Sequence, residues 1–284
     1  MFSPYRLAAV DLDGTLLGPD KSISAANAAA VRRLREAGVQ VMLASGRRHE
    51  NMLRYHRQLG LSGCMVSCNG ALVQDAETNE VLHQRLLPAQ SAARILEDGH
   101  ARGMTQNYYH TDGAVYVREK TPWTSVYEGR TGGGVSLAGD LQRFGGQAAL
   151  KILWIAEPEE ITRLQEEMRA RYPDLYLTIT DPEYLEFMAA GVSKATGLAV
   201  VAERIGVSQQ ETLAFGDGDN DLPMLRWAGC GIAMTDAKPH VRAAADRSAP
   251  PGDPETSFAR AVAALSDGTQ RLSSRTDSPR IGPL

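Results

Sequence analysis

Apolar positions along this chain fall into two textures. Short, nearly unbroken apolar runs alternate with helix-spaced segments at both ends, while a middle stretch of about a hundred residues mixes strand-like and helical patterns. The first run, Leu7 to Val10, reads as a buried strand. Ser22 or Ser24 then caps a helix to about Ala37, with Val31 and Leu34 as its stripe, Ala30 and Ala37 beside them, and Gly38 as its stop. Val39 to Ala44, broken only by Gln40, has the continuous apolar character of a strand in a parallel sheet, giving β-α-β. A second helix is predicted over about 50–59, a short strand over Met65–Ser67, and a turn at Asn69-Gly70.

From about residue 83 to 187 the pattern predicts a helix near Ala89–Ala101 and strands near 104–109 and 114–118. A loose glycine-rich region follows from Gly129 to Gly146, then a strand Leu150–Ile155, a helix Pro158–Arg171, and strands Leu175–Ile179 and Tyr184–Met188. An insert of this size between two βα units reads as a second domain, with the role of a lid. The first texture resumes at Gly191: a helix capped by Ser193 with Ala195, Leu198, Ala199, Ala202 and Ile205 as its apolar positions, and a strand Leu213–Phe215. A helix over about 221–228, a strand Gly231–Met234 and helices Pro239–Ala244 and Thr256–Leu265 complete it. The division is therefore a discontinuous core of 1–82 and 188–268, an insert of 83–187, and a disordered tail of 269–284 poor in apolar residues.

With 284 residues and 43% hydrophobic content, the chain can bury a full core. A net charge of −4 and a pI near 5.9 supply no basic field for nucleic acid or an anionic membrane. No apolar run approaches the ~20 residues that span a bilayer, and nothing resembles a signal peptide before Asp11, so a cytoplasmic protein is expected, monomeric or weakly dimeric. Cys64, Cys68 and Cys230 are expected to be reduced and small-hydrophobe-like.

Chemistry concentrates where strands end. Asp11 and Asp13 stand two apart as the chain leaves the first strand, a costly pair to desolvate without a cation. Aspartate also attacks phosphorus as a nucleophile, and a second acid can carry the proton. The bland alternative is a solvated turn, for which Asp, Gly and Thr are ordinary residues. Ser45-Gly46-Arg47 places a hydroxyl, a glycine and a guanidinium at the carboxyl end of the next strand, the edge where open α/β sheets bind ligands. Lys194 in a helix's first turn is ill placed for the helix dipole and well placed to meet a phosphate. Gly216-Asp217-Gly218-Asp219-Asn220-Asp221 crowds oxygen donors that suit magnesium, with Asp219 or Asn220 expected as a cap; the spacing is not that of an EF-hand. Gly132-Gly133-Gly134 lacks the Lys-Ser/Thr of a P-loop. Arg48, Arg54 and Arg57 read as a solvated face.

Four stretches, Asp11-Leu12-Asp13-Gly14-Thr15, Ala44-Ser45-Gly46-Arg47, Val192-Ser193-Lys194 and Gly216 to Asp221, resemble in identity and order the motifs of the haloacid dehalogenase (HAD) superfamily. The large insert and the Asn69-Gly70 pair are similar to the Cof-type sugar-phosphate phosphatases within it. The resemblance implies an α/β fold, a Rossmann-like parallel-sheet core with an inserted α+β cap, and a magnesium-dependent phosphatase acting on small phosphorylated metabolites through an aspartyl-phosphate. It makes Asp11 the nucleophile and Asp13 the acid and base. Ser45, Gly46 and Lys194 would hold the phosphoryl group. Magnesium would take Asp11, the Asp13 carbonyl and Asp217, with Asp221 orienting a metal water and Asn220 facing the substrate. Thr235-Asp236-Ala237 departs from the family's Gly-Asn-Ala and adds an acid. A phosphomutase or a phospho-ligand sensor on the same fold is the alternative; the insert argues against a receiver domain. Tyr108, Tyr109, His110, Arg118, Trp123 and Tyr184 are the insert's candidates for selecting substrate.

Overall fold

The computed structural model describes residues 2–266. The expected tail, 269–284, and the last two residues assigned to the core lie outside them. Among the described residues three sheets form. The first is fully parallel, in the order Arg247–Ser248, Cys230–Ala233, Thr212–Gly216, Leu7–Val10, Gln40–Leu43. Its side chains alternate with the period of a strand. Ala8 and Val10 join Leu213 and Phe215 on one face against the helices Ala25–Glu36 and Ser257–Ser266. Leu7, Ala9 and Ala214 face the helices Lys194–Arg204 and Leu222–Trp227 on the other. Helices on both faces of a parallel sheet are what continuous apolar strands require.

Beyond the Gln40–Leu43 edge, a parallel bridge from Ala44 to Val66 leads into a small antiparallel sheet of Cys64–Ser67, Leu72–Asp75 and Val81–Gln84. The last two of these strands are not anticipated by the sequence pattern. A six-stranded sheet forms the cap, in the order Leu175–Ile179, Tyr184–Ala189, Lys151–Ile155, Thr105–Tyr109, Val115–Val117, Ser136–Leu137, antiparallel except for its final pair. Helices Ala89–Ala101 and Pro158–Arg171 cover it, closing a core around Trp154 and Phe187. A second apolar cluster joins Cys68, Ala71 and Leu72 of the core to Tyr109, Tyr127, Leu153 and Tyr184 of the cap.

The region expected to be loose from Gly129 begins inside a helix, Pro122–Thr131. Thr121 caps it with a reciprocal Thr124 bond, and Gly132 ends it in the left-handed conformation. The signal was present in Thr-Pro-x-Thr, a proline in the first turn behind a hydroxyl cap. Two smaller expectations are also corrected: Ala37 is exposed, and Val201 rather than Ala199 is buried in the helix Lys194–Arg204.

Candidate active site

Asp11, Ser45 and Asp217 each follow the carboxyl end of a parallel strand, so the sheet alone brings the three loops together. Asp11 is buried, and Lys194 Nζ donates to its Oδ1 at 2.5 Å and to Asp221 Oδ1 at 2.6 Å. Lys194 is fully enclosed. Burial alone would strip its proton, but Asp11 and Asp221 hold the ammonium charged, above the ordinary lysine range. Ser193 positions it by capping the helix, its side chain accepting from Thr196 N. Burial pushes the Asp11 carboxyl well up, Asp221 adds to the rise, and Lys194 opposes it.

Asp217 accepts from Thr15 Oγ1 at 2.9 Å, while burial and then Asp221 push its carboxyl up to about 7. Asp221 Oδ2 accepts from the backbone N–H groups of Asp217 and Gly218, both at 2.9 Å. The acid that satisfies this loop is therefore Asp221, not Asp219 or Asn220. Asp219 turns outward to Lys238 and His240, and Asn220 donates to Asn69 Oδ1 at 2.9 Å. Gly14, at φ +77°, closes the site from the first loop: a Cβ there would lie 2.3 Å from Asp217 Oδ2.

Oxygens of Asp11, Asp217 and Asp221 lie within 4.8 Å of one another and could hold a metal ion. Hard carboxylate oxygens match a small divalent cation such as magnesium, and the raised Asp11 and Asp217 carboxyls are short of positive charge. Asp13 lies apart from this trio. Its Oδ2 accepts from Arg47 Nε at 2.6 Å and its Oδ1 from Arg47 Nη2 at 2.7 Å and Lys21 Nζ at 2.8 Å. Burial works against its charge, but Arg47 and then Lys21 overcome this and hold the carboxyl down at about 2. Arg47 also donates to the cap carbonyls of Thr131 and Arg130, at 2.9 and 3.1 Å.

Between core and cap lies a cleft of about 120 Å³. Asp11, Asp13, Ser45, Gly46, Asp217, Asn220 and Asp221 line its floor; Tyr109, Tyr127, Arg130, Lys151, Asp181, Tyr184 and Glu186 line its cap side. Of the six substrate-selecting candidates, Tyr109 and Tyr184 reach the cleft. Tyr108 is core, stacked on Phe144 at 4.7 Å, and Arg118 is exposed beside His100. His110 bonds Gln147, and neither it nor half-buried Trp123 lines the cleft. Arg48, expected in solvent, lines the cleft and bonds the Gly113 and Gly134 carbonyls. The added acid Asp236 is exposed and outside the cleft. The three cysteines are free thiols, and burial raises Cys68 to about 12.

Lys151 and Glu186 were missed as site residues, although the sequence carries their signal. Each is a lone charge in an otherwise apolar strand, Lys151-Ile-Leu-Trp-Ile and Tyr-Leu-Glu186-Phe-Met, and such a charge must find a partner when buried. No helix among the described residues is long and apolar enough to cross a membrane.

Residues 8–254 match the haloacid dehalogenase-like hydrolase family. An HMP-PP phosphatase of Klebsiella pneumoniae is 30% identical over 244 residues, spanning 84% of this chain and 87% of that protein. A solved haloacid dehalogenase-like hydrolase from Bacteroides thetaiotaomicron superposes with a TM-score of 0.81 at 27% identity, over 92% of this chain and 99% of that one. A HAD subclass IIB sugar phosphatase superposes with a TM-score of 0.80 over 93% and 99%; at 21% identity this likeness speaks to the fold.

Proposed function

The chain belongs to the haloacid dehalogenase-like hydrolases and is a phosphatase of Cof type; from that premise we propose that it hydrolyses small phosphorylated metabolites, sugar phosphates among them, through an aspartyl-phosphate on Asp11. The observation that carries this reading is the setting of Asp11: a buried carboxylate at a strand end, paired with an enclosed lysine, on the floor of a cleft roofed by the cap. The activity named for the HMP-PP phosphatase relative supports the substrate class.

In this reading an Asp11 oxygen attacks phosphorus and the bond to the leaving oxygen breaks. The Ser45 hydroxyl and the Gly46 backbone hold the phosphoryl oxygens, and Lys194, enclosed behind Asp11, neutralises their charge, since positioning and charge neutralisation dominate this chemistry. Asp13 gives its proton to the leaving oxygen, then takes one from the water that attacks the aspartyl-phosphate and regenerates Asp11. The arrangement in hand holds Asp13 as a carboxylate, suited to the second half; the first half requires its pair with Arg47 to open. A magnesium ion held by Asp11, Asp217 and the Asp13 carbonyl, with Asp221 beside it, would supply further neutralisation of the phosphoryl charge. Asn220 faces the substrate side of the cleft. Within the described residues the cap spans 83–187 and the core 2–82 and 188–266; the apolar cluster drawn wholly from Leu87 to Phe187 supports that division.

The test is phosphate release from sugar phosphates, nucleotides and phosphorylated cofactors, with magnesium and with excess chelator. Turnover that chelation abolishes supports the reading. Turnover undiminished by chelation removes the metal from it, and no turnover on any compound removes the substrate class.

A further inference from the structure

The cap and the phosphoryl-holding loop are joined by a buried polar chain. Lys151, at the start of a cap strand, is 1% exposed; its Nζ donates to the Gly46 carbonyl at 2.8 Å and to Glu186 Oε1 at 2.6 Å, and lies 4.6 Å from the Tyr109 ring centre. Glu186, 3% exposed on the neighbouring strand, accepts at Oε2 from Asn69 Nδ2 at 2.7 Å and at Oε1 from Thr180 Oγ1 at 3.1 Å. Asn69, at φ +58°, donates its backbone N–H to the Ser45 carbonyl at 3.0 Å and accepts from Asn220. Cys68 N–H donates to the Arg47 carbonyl, and Arg47 N–H to Ser45 Oγ at 3.2 Å.

The carbonyls of Ser45, Gly46 and Arg47 are thus each held from outside the loop, and the Gly46 carbonyl is held by the cap. Fixing that carbonyl fixes the peptide whose N–H meets Ser45 Oγ, which leaves the hydroxyl proton of Ser45 directed elsewhere. A buried ion pair seldom raises stability above that of an apolar pair of similar volume. Its place in two apolar strands therefore calls for another reason.

Resting on the phosphatase reading of this site, we propose that Lys151, Glu186 and Asn69 are positioning residues: through the Gly46 carbonyl they give the Ser45–Arg47 loop its phosphoryl-holding shape only while the cap is seated on the core. Loop geometry of this kind acts on the chemical step, where an ångström of misplacement costs about 10²-fold.

The experiment compares K151M, the double variant K151M/E186M, N69G and D11N, by thermal melting and by kcat and KM on p-nitrophenyl phosphate and on a hexose phosphate. K151M strands Glu186 and melts lower. The double variant removes both charges and recovers melting temperature, yet its kcat stays about 10²-fold down by the same factor on both substrates, with KM little changed. N69G keeps the left-handed turn and loses kcat likewise. A double variant that recovers kcat along with stability, or an N69G with wild-type kcat, overturns the proposal and leaves the pair structural. A loss that differs between the two substrates also overturns it, since that marks a leaving-group contact. An active D11N instead overturns the site reading itself, and the inference with it.

Discussion

Replacing Lys194 with Met keeps the aliphatic stem and deletes the one charge between Asp11 and Asp221. The lysine side chain is 0% exposed and its partners 6% and 1%, so solvent screens little of the interaction. Removing one member of a buried ion pair costs ~3–5 kcal/mol; with two carboxylates left behind, the upper half of that range is expected, a fall in melting temperature of roughly 10–15 °C for a domain of this size. The loss depends on pH with a definite sign. Asp217 sits at about 7 in the folded protein against 3.8 unperturbed, so its contribution is fully present below the lower value and is lost as pH rises through about 7. Lys194 opposes the rise of both the Asp11 and Asp217 carboxyls, so its loss lets them rise further, and the deficit of K194M in chelator is larger at pH 8 than at pH 5. Magnesium at a hundred times the wild type's dissociation constant adds about 2.7 kcal/mol to the wild type, and at that same concentration the variant, with less positive charge in the site, binds it more tightly and gains more. Urea unfolding at the two pH values, with chelator and with magnesium, measures all three quantities. A loss under about 1 kcal/mol at pH 8 would refute the reasoning, as would magnesium stabilising the variant less than the wild type.

Gly14→Ala should raise the magnesium concentration for half-maximal activity about 10–100-fold, because its Cβ would meet Asp217 Oδ2 at 2.3 Å; a metal titration of phosphate release checks it. Neither ring nitrogen of buried His49 has a partner among the described residues, and burial, then His56, lowers the imidazole to about 4. Stability should therefore drain away as pH falls from about 6.5 to 4, by at most about 3 kcal/mol, and unfolding curves of H49L should lack that limb. Asp236→Asn should leave kcat/KM within twofold on every substrate tested, since Asp236 faces solvent away from the cleft.

The core was legible because its chemistry is local. Leu7–Val10 and Thr212–Gly216 are apolar runs that end in acids, and a parallel sheet places every such end on one edge whatever the details of packing. The Ser193 cap was legible for the same reason, whereas the burial of the lysine after it was not. The cap's contribution was not. Arg47 reaching the Thr131 carbonyl, or Lys151 reaching Gly46, spans 84 and 105 residues, and no periodicity carries such a pairing. Strands such as Val81–Gln84, largely exposed, carry no alternation to read. Asp13 shows the limit most plainly: the sequence identifies it as an acid, while its ionisation is decided by Arg47 and Lys21, brought to it by tertiary structure.

The central claim is that Asp11 carries the phosphoryl group. Rapid acid quench of the enzyme turning over a ³²P-labelled ester, followed by peptide mapping, tests it directly. Label is expected on the peptide containing Asp11, and is expected to be absent in a folded D11N variant that releases no phosphate. Label on another residue, or more than a few percent of wild-type turnover in D11N, would contradict it.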